Sequence, residues 1–179
     1  FNIRKDSLKD KDIRIILTLL LNKEKLIEEY GVGSRILNGP LPETSWAYNK
    51  DVDYLTYDPT KAVEKLEKLG YKRNLDSGYF ENQQGEILTF TISYLSILSN
   101  ERLVALLSDY YKEEGVLLQV EKLDYTQMTQ EVISTMDFEL LLYEVETSVD
   151  PDQYNLWHSL KANFPDLNLS GYNYGRVDI

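Results

Sequence analysis

Between Leu88 and Leu123 a short apolar run, an amphipathic stretch and a second short apolar run follow one another, and this order narrows the possible folds most. Leu88 to Tyr94 reads as a strand after a turn around Asn82 to Gly85, with Tyr79-Phe80 as the other arm of a hairpin. Asn100 is placed to cap a helix running to Glu114, on which Leu103, Val104, Leu107, Tyr110 and Tyr111 share one side. Gly115 stops that helix, and Leu117 to Leu123 forms the second strand. Two strands joined through a helix by short connections are expected to run parallel, with a right-handed crossover. A further helix, Tyr125 to Thr135, and a strand, Phe138 to Val145, repeat the alternation, which implies an α/β sandwich.

The flanking segments supply helices to cover such a sheet. Ile13, Ile16, Leu17 and Leu20 recur at helical spacing within Lys9 to Leu21, and Ile15 and Leu19 make that helix apolar on other faces too. Asn22 caps a second helix, Lys23 to Tyr30, which ends at Gly31. Asp58-Pro59 opens another, with Ala62, Val63, Leu66 and Leu69 on its buried face and Gly70 at its end. Residues 33–57 are irregular and too long for a plain connector, so they form a packing or functional loop. A last helix is expected from Asp150-Pro151 to about Leu160, with Asp150 as its N-cap.

Charge and residue inventory exclude several functions. A formal charge of −11 leaves no basic stripe to displace counterions from phosphates, so nucleic acid is not a partner, nor is an anionic membrane surface. With no cysteine, thiolate catalysis, disulfides and cysteine-bound metals are ruled out, and the single histidine rules out a multi-histidine metal site. No metal or cofactor is expected. The most apolar run, Ile13 to Leu21, is too short to cross a bilayer, which takes about 20 residues. Opening on Phe1-Asn2-Ile3, the chain reads as a domain excised from a longer protein.

Four blocks, in order and across nearly the whole length, resemble one family. They are Phe1-Asn2 with Asp12-Ile13-Arg14 and Asn22-Lys23-Glu24; Asn38-Gly39-Pro40-Leu41-Pro42 with Ser45-Trp46-Ala47-Tyr48-Asn49; Tyr57-Asp58-Pro59 with Lys61-Ala62 and Leu69-Gly70-Tyr71; and Asp150-Pro151-Asp152 with Tyr154, Trp157-His158-Ser159, Asn168, Ser170-Gly171-Tyr172 and Val177-Asp178. Together they resemble the bacterial extracellular solute-binding proteins of family 5, the oligopeptide, dipeptide and nickel type. The resemblance implies a type II periplasmic-binding-protein lobe, a mixed sheet flanked by helices. Residues 1–179 would be a single domain covering most of the second ligand-binding lobe of a larger two-lobed protein. It further implies a non-enzymatic, monomeric receptor outside the cytoplasm, in the periplasm or lipid-anchored on the outer face of the cell membrane. Such a receptor takes up an oligopeptide or other small solute and hands it to an ABC transporter permease. Two lobes closing on a ligand by hinge motion would bury it between them, and one lobe alone would make too few contacts for useful affinity.

The same resemblance places the ligand-contacting segment between the strand ending near Val145 and the Asp-Pro motif: Glu144, Val145, Glu146, Thr147 and Ser148. Members of the family usually carry a Gly-Trp pair where this chain aligns Glu144-Val145. Peptide-binding members often add an aspartate where it has Thr147 and Ser148. Strand geometry independently sends Glu144 and Glu146 to one face, past the carboxyl end of a strand, where α/β proteins tend to bind ligands. Two carboxylates there can receive a cation or hydrogen-bond a polar ligand. They can also act as the acid and nucleophile of a hydrolase, or remain a solvated strand end. An enclosed pocket around them would favour the enzyme, an open face the receptor. Tyr154 and Trp157 are expected to pack against the tail near Tyr172, His158 to bond locally, and Trp46 and Tyr48 to pin the long loop or face the cleft.

Overall fold

A computed structural model of the chain describes residues 1–31, 33–146 and 150–172. At its centre lies strand β3 (Thr89–Leu95), paired in parallel with β4 (Leu117–Leu123) on one side and β5 (Leu140–Leu142) on the other. Leu95 stands beside Leu123, and Tyr94 beside Leu142, so the strands finish almost level at their carboxyl ends. Helix α5 (Leu98–Glu113) makes the crossover between β3 and β4, as the strand–helix–strand order requires. Among the described residues, antiparallel pairing is confined to a ribbon of β1 (Lys72–Arg73) with β2 (Phe80–Glu81) and to one bridge, Glu81 to Ile87.

Alternation along β3 divides the molecule into two apolar layers. Phe90, Ile92 and Tyr94 face the larger core, where they meet Leu118, Leu140, Val104, Leu107 and Tyr111. That core also takes in Leu8 and Ile16, Leu17 and Leu20 from around α2 (Lys11–Leu19), and Ala62 and Leu66 from α4 (Pro59–Lys68). A smaller cluster of Leu123, Met128, Val132, Met136 and Phe138, with Leu95, Leu141 and Leu169 packed against it, gathers toward the carboxyl end. Each fully buried leucine or phenylalanine contributes about 1.5–3 kcal/mol, so the larger layer dominates stability.

Caps and tertiary bonds join the helices end to end. Asp58 Oδ1 accepts from Lys61 N at 3.0 Å to start α4, while Asp58 N donates to Leu19 O at 2.9 Å at the end of α2. The hydroxyl of Tyr111 donates to Leu17 O at 2.7 Å, satisfying another of the carbonyls that a helix end leaves free. Asn22 caps α3 (Lys23–Tyr30) through Lys25 N at 2.9 Å, as expected.

Several boundaries differ from the sequence expectation, each for a local reason. The helix expected over Lys9 to Leu21 is broken at Asp10, which is extended; a short turn α1 (Asp6–Lys9) precedes it, and the Asp10 side chain caps α2 through Asp12 N. Helix α5 begins at Leu98, because Asn100 donates its side-chain amide to Leu95 O instead of capping. After α6 (Tyr125–Gln127) the turn widens over Met128–Ile133, with Ser134 N donating to Thr129 O five residues back. The strand expected over Phe138 to Val145 shortens to Leu140–Leu142. At its start Glu139 Oε2 takes Thr91 N at 2.7 Å, and the pairing ends at Tyr94 with Leu142, one residue before β3 itself ends at Leu95. Asp150 does not cap a helix: its side chain accepts from Asp152 N, Asp152 in turn accepts from Tyr154 N, and only α7 (Tyr154–Trp157) is α-helical.

Candidate functional site

Where three parallel strands finish level, the segments that leave them share one edge. After β3 come Ser96, Ile97 and Leu98; after β4, Asp124 and Tyr125; after β5, residues 143–146. Leu98 is 84% exposed and Tyr125 73% exposed, and Ile97, Tyr143 and Val145 are exposed as well. Large apolar side chains from three adjacent strand ends on one edge mark a surface that lacks its partner. This is also the edge at which open α/β sheets take ligands.

The platform under this edge is held by polar bonds. Ser96 N donates to Leu123 O at 2.8 Å, tying the end of β3 to that of β4. Ser96 Oγ donates to Glu101, whose carboxylate pairs with Lys122 at 2.7 Å. The hydrogen bond and charge of Lys122, with Ser96 adding to them, hold the Glu101 carboxyl below the usual carboxylate range. Asp124 and Gln127 bond reciprocally, side chain to backbone, as a capping box that fixes the start of α6.

Of the residues expected to meet a ligand, Glu144, Val145 and Glu146 lie on this edge and are exposed. Thr147 and Ser148 lie outside the described residues. Since β5 ends at Leu142, strand alternation does not constrain Glu144 and Glu146; they extend from a free segment. Among the described residues neither carboxylate has a hydrogen-bond partner or a cation beside it. Their exposure is the open face that favours a receptor. A catalytic acid pair needs a desolvated setting that drives the two carboxyls apart in acidity. Ile97, Leu98 and Tyr125 were not singled out from the sequence. The available signal was their position directly after strands that the pattern made parallel.

A second concave feature lies beside α7. Pro40, Gln153, Tyr154, Trp157, His158 and Tyr172 line a groove of about 570 Å³. Trp157 meets Tyr172 edge-on at 6.3 Å, as the sequence led us to expect, whereas the Tyr154 ring stacks on that of His158 at 4.3 Å, a contact not expected from the sequence. His158 bonds locally, its Nδ1 accepting from Leu160 N. Trp46 is 83% exposed, so it does not pin the long loop.

Buried polar residues explain why the end motifs are present. Asn2 is fully buried and donates its amide to Met136 O and Phe138 O at 2.9 and 2.8 Å. Asn168, also fully buried, donates to the carbonyls of Trp157, His158 and Tyr172 and accepts from Ser170 Oγ and Tyr172 N. Arg4 links the two, donating to Asn2 Oδ1 and to the carbonyls of Ala162, Asn168 and Leu169. These residues hold the first strip of chain against the last. Among the described residues no group of His, Asp or Glu could hold a metal, and no helix is long and apolar enough to cross a membrane.

Residues 1–165 match the family model described as bacterial extracellular solute-binding proteins, family 5 middle. The chain is 25% identical to the oligopeptide-binding protein AppA of Bacillus subtilis over a 189-residue alignment covering 99% of this chain and 33% of that protein. The structure of AppA in complex with a nonapeptide superposes with a TM-score of 0.83 at 24% identity, over 97% of this chain and 35% of that one. NikZ from Campylobacter jejuni, in complex with Ni(L-His), gives a TM-score of 0.81 at 27% identity, again over 97% and 35%. The chain thus spans about a third of the length of the relatives it matches.

Proposed function

The chain belongs to the bacterial extracellular solute-binding proteins of family 5, and on that premise we propose that it forms most of the second lobe of a two-lobed receptor. The receptor works outside the cytoplasm, in the periplasm or lipid-anchored on the outer face of the membrane. It closes on an oligopeptide and delivers it to an ABC transporter permease. One observation carries this reading: three parallel strands end together at an edge whose side chains are apolar, exposed and uncovered. A ligand gripped there from one side needs a second lobe to bury it, and the relatives have about twice this length again to supply one.

The segment 144–148 is the part of this edge assigned to ligand contact, with Glu144 and Glu146 as its polar groups. The hydrolase alternative lacks support, because the two carboxylates stand in solvent and, among the described residues, no third group orients them. Native mass spectrometry of the intact protein is the direct test. It should carry peptide out of its host, and peptide should bind the stripped protein in calorimetry. An intact receptor that carries and binds only sugar or a metal chelate would overturn the peptide assignment. Turnover of a glycoside or peptide by the intact protein would overturn the receptor reading itself.

A further inference from the structure

We propose that the peptide received at this edge is cationic, its lysine or arginine side chains meeting Glu144 and Glu146 while its apolar parts lie on Leu98, Tyr125 and Tyr143. The inference rests on reading the chain as a peptide-receptor lobe and specifies what that lobe selects.

Charge complementarity carries the argument. The three segments that form the edge, residues 96–100, 124–127 and 143–146, contain no lysine or arginine. Their charged groups are Asp124, Glu144 and Glu146. Asp124 is occupied in the capping box, whereas Glu144 and Glu146 are exposed and, among the described residues, unpaired. The cations nearest in sequence are already engaged: Lys122 pairs with Glu101, and Arg102 donates to Glu29 O at 2.6 Å. Among the described residues of these segments, an approaching anionic ligand would therefore face carboxylates and no cationic donor.

One feature of the fold opposes this selection. Helix α5 points its amino end, which carries partial positive charge, at the same edge. Glu101 lies in its first turn and places a carboxylate against that charge. The formal charge of −11 adds a long-range bias of the same sign as Glu144 and Glu146. The apolar component is independent of charge. Leu98 and Tyr125 are the most exposed of the edge's large apolar side chains, so a peptide laid across them removes apolar area from water whatever its charge.

The test uses the intact two-lobed protein, stripped of co-purified ligand, and three pentapeptides in which alanine alternates with lysine, glutamine or glutamate. Calorimetry should rank them lysine, glutamine, glutamate, with lysine favoured over glutamine by about fivefold or more, the scale of a favourable exposed ion pair. Raising the salt concentration should narrow the gap. The double variant E144Q/E146Q should lose the preference, whereas E67Q, on an exposed face of α4, should keep it. Equal affinity for all three peptides, or a preference that survives in E144Q/E146Q, overturns the proposal and leaves the peptide-receptor reading in place. Failure of the intact protein to bind any of the three overturns both.

Discussion

Asn168, itself fully buried, shares its side-chain amide among three carbonyls of Trp157, His158 and Tyr172 and accepts two more bonds. Replacing it with alanine strands those groups, and we expect Asn168→Ala to cost about 3 kcal/mol or more in urea unfolding. Tyr111 serves the interior differently: its hydroxyl bonds Leu17 O at 2.7 Å, and burial pushes its ionisation above the usual tyrosine range. A folded-state pKa raised above the unfolded value stabilises fully below the unfolded value of about 10 and fails as pH climbs through the folded one. Thermal unfolding temperatures should therefore fall as pH rises past about 10, and less steeply in Tyr111→Phe. That variant should also lose about 1 kcal/mol at neutral pH with its hydrogen bond. The sequence showed Asn2 and Asn168 as marks of a family without revealing their work. An asparagine reads as polar from sequence, and only the fold tells which one is sealed inside.

Among the elements, β4 was legible to the residue and β3 to within one: the central strand β3 writes its buried apolar run directly into the chain, and β4, exposed over residues 119–122, is framed by Leu117, Leu118 and Leu123 after the Gly115 stop. Gly115 between α5 and β4 was equally legible as a helix stop, and the structure adds a second demand on it. Its φ is +85°, and a Cβ there would meet Gly78 O and the Phe80 ring at 3.0 Å. Gly115→Ala should lower stability by about 2 kcal/mol or more, measured by denaturant midpoint, since left-handed strain and the close approach act together. Strand β5 was overestimated because Tyr143, Glu144 and Val145 continue an extended pattern past Leu142, its last residue paired with β3, and Glu144 and Val145 lie beyond the level of Leu95, where β3 ends. Pairing needs a neighbour, and the neighbour's length is not written in the strand itself. The short α7 was overestimated because Asp150 and Asp152 use their side chains in successive turns rather than in a cap.

For the whole molecule, one lobe presents half of a site. The chain by itself should show no peptide binding at micromolar concentration and no hydrolase activity; a micromolar complex in calorimetry would mean that this edge suffices alone. Composition, the strand–helix–strand order and four ordered motifs determined the α/β class and the parallel sheet, because burial imposes periodicity on every residue of an element. They also pointed to the segment after β5. Only the tertiary structure decided that Ile97, Leu98 and Tyr125 join that segment on one edge, and that Glu144 and Glu146 stand in solvent, unpaired among the described residues. Residues from three strand ends, tens of positions apart in the chain, become neighbours through register and strand order, and no local pattern records either.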